Sequence, residues 1–292
     1  ISRNFKQADY VERQSGLCEL ALHNFPLLGL GHIRIHNRDG VSYLQEMLPV
    51  DCLFLDPARR DGHGGKTVAI SDCEPDVTVL EPLLVDKAKK VMVKLSPMLD
   101  LSLALNELKT VRAVHIVAVN NECKELLLIL QKESVSSEVS IHCEHIAGNG
   151  ESRHYTFTLK REKTSPCLLA DEVGTYLYEP NAAILKAGAF RSLTQTYPVA
   201  KLHLNSHLYT SVSLVPDFPG RRFRVEAVSG FGKKELKAFL MDMDKANITI
   251  RNFPLSVAEL RKRLKLKEGG DDYIFATTLS GGQKVLIRGK KC

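Results

Sequence analysis

The sequence predicts an α/β fold with a mostly parallel sheet, followed by small α+β domains. Up to about residue 162, short apolar runs alternate with segments of helical periodicity, as in successive β-α-β units. The runs 50–55 and 91–95 are largely apolar and too short for buried helices, which is typical of central strands covered on both faces. Beyond residue 165 the predicted strands are shorter and the regular alternation ends.

The composition is typical of a water-soluble protein without a metal site. With 292 residues, of which 25% are charged and 44% hydrophobic, the chain can form two or three domains. No apolar stretch approaches the roughly 18 residues that cross a bilayer, and no signal-peptide pattern is present, so we expect a cytoplasmic protein. The seven cysteines form neither a C-x-x-C pair nor a cluster at zinc spacing, which predicts reduced, structural thiols.

Positive charge is concentrated at the end of the sequence. Residues 221–292 contain 17 Lys+Arg and 8 Asp+Glu, a balance of +9, whereas residues 1–220 have 23 against 26, a balance of −3. This asymmetry predicts a polyanion-binding module, although a solvated lysine-rich face would give the same counts. The candidate phosphate contacts lie on two predicted basic helices and are Lys233, Lys234, Arg261, Lys262 and Arg263.

The first two predicted strands each end near an acid. Glu12 closes the strand at 8–13, where a nucleotide-binding α/β sheet uses an acid to accept hydrogen bonds from ribose hydroxyls. Asp39 follows the strand at 33–37 and suits either an adenine amino group or the N-cap of the next helix. Because no glycine precedes Gly16, a cofactor-binding loop of the G-x-G type cannot precede the first strand, and we expect the sequence to be truncated.

The buried run at 50–55 ends abruptly in an Asp-Pro pair followed by Ala and two arginines. Pro57 cannot donate to a sheet, so the strand stops there and Asp56 lies at its carboxyl end. Open α/β sheets bind ligands beyond those ends, which makes Asp56, Pro57 and Arg59 the candidate catalytic residues. Arg60 is a candidate substrate contact. The alternative is an ordinary Asp-Pro turn.

Three further segments bear on the site and the sheet. The glycine-rich residues 61–66 are typical of a lid or substrate loop. Residues 120–125 are typical of a polar turn. The alternating segments 139–142 and 155–159 predict a hairpin that closes the sheet with antiparallel strands.

Four motifs together resemble those of a bacterial family of class I S-adenosylmethionine-dependent methyltransferases with a C-terminal THUMP-like domain. They are DPARRD at 56–61, DCEP at 72–75, KLSPMLD at 94–100 and NECKEL at 121–126. The resemblance covers the whole chain. It implies S-adenosylmethionine as cofactor, with Glu12, Asp39 and Asp56 as its contacts, and structured RNA, expected to be tRNA, as substrate.

The same resemblance implies a domain organisation. Residues 1–162 would form a Rossmann-like class I methyltransferase sheet that lacks its first strand and its Gly-rich loop. Residues 163–220 would form a ferredoxin-like α+β domain, and residues 221–292 the basic THUMP-like domain.

The Asp-Pro corner departs from the patterns of known methylation sites. Ala58 and Arg59 stand where amine-methylating enzymes carry a second proline and an aromatic ring, although a guanidinium can also stack on a base. The corner is closer to the Asp-Pro-Pro-Arg of uridine C5 methylases. Those enzymes attack with a cysteine where this chain has Ser96, and Cys123 is more simply a buried thiol.

Three hypotheses follow. The leading one is a methyltransferase of structured RNA, in which catalysis consists mostly of holding the nucleophile and the methyl group in line. The second is a non-catalytic RNA-binding protein with a degenerate methyltransferase fold. The third is a methyltransferase of protein or small-molecule substrates, for which charge reversal at Arg261 to Arg263 would have no effect.

Overall fold

The computed structural model describes residues 1–59, 69–132 and 138–292. The chain divides into two compact units, Ile1–Arg112 with Leu127–Ser137, and Ala113–Leu126 with Glu138–Cys292. Arg60 and the glycine-rich residues 61–66 lie outside the described residues. In the described part of the chain, no helix is both long enough and apolar enough to span a bilayer.

The first unit alternates strands and helices, as the sequence predicts. Its elements are β1 (Ala8–Glu12), α1 (Ser15–Leu27), β2 (Ile33–Asn37), α2 (Gly40–Glu46), β3 (Val50–Leu55), β4 (Ala58–Arg59), β5 (Cys73–Glu74), α3 (Val77–Lys87), β6 (Ala88–Leu95) and α4 (Leu101–Glu107). Three of its helices begin at aspartate N-caps, Asp39, Asp76 and Asp100, whose carboxylates accept from backbone amides of the first turn.

The parallel strands of the first unit belong to two sheets. β1 pairs with β2 in a parallel two-stranded sheet, and β3 pairs with β6 in parallel at the end of a larger sheet. This differs from the single sheet that the sequence predicts. Among the described residues no strand pairs with the outer edge of β3, so the β1–β2 pair stays separate.

The second unit is built mainly of strands. Its first elements are β7 (Val111–Val119) and β8 (Glu122–Leu130), which the two units share, then β9 (Ser140–Ile146), β10 (Ser152–Thr158), α5 (Leu159–Thr164), β11 (Tyr176–Pro180), α6 (Ala182–Ala187) and α7 (Ser192–Thr196). Its remaining elements are β12 (Ala200–Lys201), β13 (Tyr209–Ser211), β14 (Gly220–Ser229), α8 (Lys233–Phe239), β15 (Asn247–Arg251), α9 (Val257–Leu264), β16 (Asp272–Thr278) and β17 (Lys284–Lys291).

A six-stranded mixed sheet has the order β10-β9-β7-β8-β6-β3. The predicted hairpin is present as β9 and β10, but β9 runs parallel to β7. The prediction of a polar turn at 120–125 was wrong, because β8 already begins at Glu122. Asn120 and Asn121 form the whole turn with φ of 50° and 63°, a backbone that suits a two-residue hairpin loop.

A seven-stranded mixed sheet has the order β12-β13-β11-β14-β17-β16-β15 and separates two hydrophobic clusters. Successive side chains of β16 alternate between them: Phe275 packs in one cluster, while Ile274 and Ala276 pack in the other with residues of α8 and α9. Helices α8 and α9 therefore lie on the same face of this sheet.

A buried carboxylate joins three strands of the seven-stranded sheet. Glu179 of β11 is 3% exposed in its side chain and accepts hydrogen bonds from Arg221 of β14 and Arg251 of β15. The distances are 2.8 Å from Arg221 Nε to Oε2 and 2.9 Å from Arg251 Nη2 to Oε1. At Gly220, where β14 begins, a Cβ atom would overlap the carbonyl oxygen of Glu179, so only glycine allows this close approach.

One histidine is expected to make the stability of the second unit depend on pH. The His207 ring stacks on Phe190 with centroids 3.7 Å apart, and within the described residues its buried Nδ1 has no hydrogen-bond partner. Burial, with smaller contributions from the charges of Lys201 and Arg251, lowers the pKa of His207 to about 4. The unfolded chain binds this proton at a pKa of about 6.5, so acidification from there towards 4 favours unfolding.

We expect the free energy of unfolding to fall by about 1–2 kcal/mol across that pH window, less than the full shift would give because the ring is partly solvated. His207→Asn should remove this part of the dependence, because asparagine tolerates the left-handed φ of 54° at this position. Urea unfolding of both proteins at several pH values measures the difference. Parallel profiles for parent and variant would contradict the prediction.

Candidate functional site

The Asp-Pro corner pairs an acid with a lysine of the neighbouring strand. β3 and β6 are parallel with Leu55 opposite Val93, so Asp56 and Lys94 follow side by side at the carboxyl ends of the two strands. Asp56 Oδ2 lies 2.7 Å from Lys94 Nζ, and the side chains are 52% and 32% exposed. The carboxylate is thus oriented and still accessible to a ligand.

Arg13 connects this corner with the end of β1. Arg13 follows Glu12, and its Nη1 lies 3.4 Å from Glu74 Oε1. Glu74 in turn pairs with Ala58, two residues beyond Asp56. The ends of β1 and β3 therefore lie on the same rim of the first unit. The contact orients the chain without adding much stability, because both side chains are well exposed.

Glu12 lies at this rim with one carboxylate oxygen committed. Its Oε1 accepts from the backbone N–H of Gln14 at 2.8 Å. The side chain of Asn37, its partner in β2, donates to the carbonyl oxygens of Glu12 and Arg13 at 3.0 and 3.1 Å. The backbone at the end of β1 is thereby held, which leaves Oε2 of Glu12 as the candidate acceptor for ribose hydroxyls.

Asp39 caps α2, one of the two alternatives for this residue. Its Oδ1 accepts from the amide and the hydroxyl of Ser42 at 2.8 and 3.0 Å. These hydrogen bonds lower the pKa of Asp39, and the charge of Arg13 contributes in the same direction. Oδ1 is occupied by the cap, so a contact of Asp39 with an adenine amino group stays a prediction for Oδ2.

The structure describes the other candidate residues near the corner, except Arg60. Pro57 is the second residue after the end of β3, and the backbone of Arg59 belongs to β4. Arg60 lies outside the described residues. Ser96 Oγ accepts from the amide of Met98 at 3.2 Å, as in an ordinary Ser turn. Burial raises the pKa of the Cys123 thiol, which supports a structural thiol over a nucleophile.

The basic residues of α8 and α9 are only partly brought together. The guanidinium of Arg263 lies 5.2 Å from the ring centroid of Phe231, two residues before Lys233, so the end of α9 is close to the start of α8. Lys233, Lys234 and Lys262 are exposed. Arg261 instead turns back to the chain and donates to Ala246 O at 3.1 Å.

A cavity of about 380 Å³ lies at the amino ends of β3 and β6, at the opposite end of these strands from Asp56. It is lined by Pro49, Val50, Asp51, Val85, Asp86, Ala88, Lys89 and Lys132. Its charges are paired, Asp51 with Lys89 at 2.6 Å and Asp86 with Lys132 at 2.9 Å. This cavity therefore does not belong to the candidate site.

Two segments of the second unit match family models. Residues 176–219 match a ferredoxin-like domain, and residues 220–291 match a THUMP-like domain. The whole fold is similar to the crystal structure of a putative methyltransferase from Porphyromonas gingivalis W83, with 35% identity and a TM-score of 0.88 over 98% of this chain and 72% of that chain. The chain belongs to this methyltransferase-like family with ferredoxin-like and THUMP-like domains.

This finding confirms the family resemblance that the sequence analysis inferred from four motifs. No curated protein sequence matches the chain. The predicted seams at 162 and 220 and the roles of the individual site residues stay predictions. Local sequence signals did not identify Lys94, Arg13 or Glu74 as residues of the candidate site. Only the parallel register of β3 with β6 would have placed Lys94 beside Asp56.

Proposed function

We propose that this protein is an S-adenosylmethionine-dependent methyltransferase that acts on structured RNA, with tRNA as the expected class. The observation that supports a methyltransferase most directly is the match at 35% identity over 98% of the chain to a protein described as a putative methyltransferase. The THUMP-like segment at 220–291 and the +9 balance of residues 221–292 support RNA as the substrate.

The acids at the rim of the first unit fit the nucleoside part of the cofactor. Glu12 ends β1 and Asp39 follows the adjacent parallel strand β2, and each has one carboxylate oxygen that accepts from a backbone amide. The second oxygen of each is the one proposed to accept from the cofactor. Ribose hydroxyls and an adenine amino group are donors that carboxylates accept. When bound there, S-adenosylmethionine supplies an electrophilic methyl group on a sulfonium.

The Asp-Pro corner would orient the substrate. Asp56 accepts a hydrogen bond from a substrate amino group and so directs its lone pair, while Lys94 holds the carboxylate in one orientation through the 2.7 Å contact. Glu12 ends β1 and Asp56 follows β3 on the same rim of the first unit, so the cofactor and the substrate would meet beyond the carboxyl ends of these two strands. The chemistry needs little acid–base help, so positioning contributes most of the rate.

Calorimetric titration of the full-length protein with S-adenosylmethionine tests the cofactor. We expect saturable binding, weakened about tenfold or more by Glu12→Ala, because a hydrogen bond to a charged group contributes about 1.5–3 kcal/mol. Glu46→Ala is the matched control, since Glu46 pairs with Arg38 at the surface of α2 and should bind the cofactor as the parent does. The absence of any saturable heat from the parent protein would refute the proposal.

A second candidate is an RNA-binding protein without catalysis. The observation that favours it is the basic segment 221–292 with its THUMP-like match, which supports RNA binding without any contribution from the Asp56 corner. Transfer of labelled methyl groups into total RNA from a strain that lacks the gene separates the two candidates. RNA binding with no incorporation supports the second, and incorporation supports the methyltransferase.

A further inference from the structure

A second cavity, of about 310 Å³, lies within the second unit and brings together residues from distant parts of the sequence. Its lining includes His145, Glu151, Arg153, Arg221, Arg222 and Lys291. Four of these side chains carry a positive charge and one carries a negative charge. The cavity is referred to below as the arginine pocket.

One short loop holds two guanidinium groups at the rim of the arginine pocket. Arg153 of β10 donates to Phe218 O at 3.3 Å, and Arg222 of β14 donates to Pro216 O. Each guanidinium has five N–H donors, so most remain available. Among the described residues neither group has a carboxylate within ion-pair distance. Two cations held by the same loop without an ion-paired carboxylate favour an anion.

The other two cations of the pocket are Arg221 and Lys291. Arg221 is paired with the buried Glu179, which also pairs with Arg251, so its charge is partly compensated. Lys291 lines the pocket and is exposed, and its Nζ makes a cation–π contact with the ring of Tyr273 at 5.1 Å from the centroid. Among the described lining residues, Glu151 is the one acidic side chain that opposes Arg153, Arg222 and Lys291, so their side chains have an excess of positive charge.

A histidine adds a neutral donor to the arginine pocket. The backbone N–H of Asn121 donates to His145 Nε2 at 3.1 Å, which assigns the proton of the neutral ring to Nδ1. Burial, assisted by the charge of Arg153, lowers the pKa of His145, so the neutral ring is favoured. A neutral imidazole donor beside three cations suits a ligand that has both a phosphate and hydrogen-bonding base or sugar groups.

We infer that the arginine pocket binds a phosphate and its attached nucleotide in a single-stranded segment of RNA. This inference rests on the proposed function and adds to it the place where the RNA enters. A volume of about 310 Å³ has room for about one nucleotide, and a base can enter a concave pocket only when it is unpaired. The basic helices α8 and α9 then serve as a secondary contact.

Fluorescence anisotropy with a labelled single-stranded oligoribonucleotide tests the arginine pocket in the full-length protein. Lys291→Gln is the first variant, because its exposed side chain leaves the core unchanged. We expect about tenfold weaker binding at low salt and a slope of log K against log salt that is smaller by about 0.7. Lys284→Gln is the matched control: it is an exposed lysine at the other end of the same strand and should bind as the parent does.

Two further variants test the charge balance. Arg153→Gln should weaken binding as Lys291→Gln does, whereas Glu151→Gln should tighten it about twofold to threefold, because the opposing acid is removed. Thermal unfolding of each variant excludes a loss of fold as the cause.

Three outcomes would overturn the inference: no RNA binding by the parent protein, equal effects of Lys291→Gln and Lys284→Gln, or binding of AMP as tight as that of the RNA. Equal effects of the two lysine variants would leave the proposed function standing, because cofactor binding and methyl incorporation are measured separately.

Discussion

Replacing Glu179 with glutamine is expected to lower the free energy of unfolding of the second unit by about 3 kcal/mol. The carboxylate is 3% exposed and accepts from two guanidinium groups, whose side chains are 34% and 33% exposed. Glutamine keeps the shape but removes the negative charge, and its amide can offer only one acceptor oxygen. Arg221 and Arg251 would then face each other as uncompensated, partly desolvated charges.

Urea unfolding followed by circular dichroism measures the effect as a shift of the transition midpoint. Glu226→Gln is the matched control, because Glu226 lies on β14 and pairs with Arg288 at 3.4 Å and Lys290 at 3.7 Å while remaining solvent-accessible. Such pairs contribute about 0–1 kcal/mol. A Glu179→Gln midpoint as close to the parent as that of the control would contradict the prediction.

Replacing Asp56 with alanine is expected to reduce kcat/KM for methyl transfer about a hundredfold, equivalent to about 2.7 kcal/mol. The reason is positional: without the carboxylate the substrate amino group loses the acceptor that directs its lone pair. We predict that Asp56 also contacts the cofactor, so the affinity for S-adenosylmethionine, measured by calorimetry, should fall as well. Transfer of labelled methyl groups measures the rate.

The two ends of β3 provide a matched control for this experiment. Asp51 at the amino end pairs with Lys89 at 2.6 Å, just as Asp56 at the carboxyl end pairs with Lys94 at 2.7 Å. Asp51→Ala removes an equivalent ion pair from the same two strands and should leave the rate unchanged. A rate for Asp56→Ala within twofold of Asp51→Ala would eliminate the corner as the catalytic site.

Local sequence signals predicted the elements that depend on local physics. Residue preferences at helix ends account for α6, which is capped by Asn181 and ends at Gly188 in the left-handed conformation. The apolar run at 50–55 is a strand that stops at Asp56 because Pro57 cannot continue the sheet. The sequence left two roles open for Asp39, the N-cap of α2 and a contact with adenine. The hydrogen bond from the Ser42 amide shows that Oδ1 serves as the N-cap.

Contacts between distant residues could not be predicted in this way. Glu179 looks like an ordinary acid at the end of a strand until Arg221 and Arg251, 42 and 72 residues away, are placed beside it. The same holds for Arg153 and Lys291 in the arginine pocket. The strand β8 was missed for a different reason: an Asn-Asn hairpin turn has a weaker signal than Asn-Gly.

The seven-stranded sheet makes the two family segments of the second unit inseparable. Their boundary falls between residues 219 and 220, at the first residue of β14, which pairs with β11 of one segment and β17 of the other. Expressing either segment alone would expose a long unpaired sheet edge. The first segment alone would also leave Glu179 without its partners Arg221 and Arg251. These segments should therefore melt as one cooperative body, so a boundary drawn from sequence families is a poor place to cut this protein.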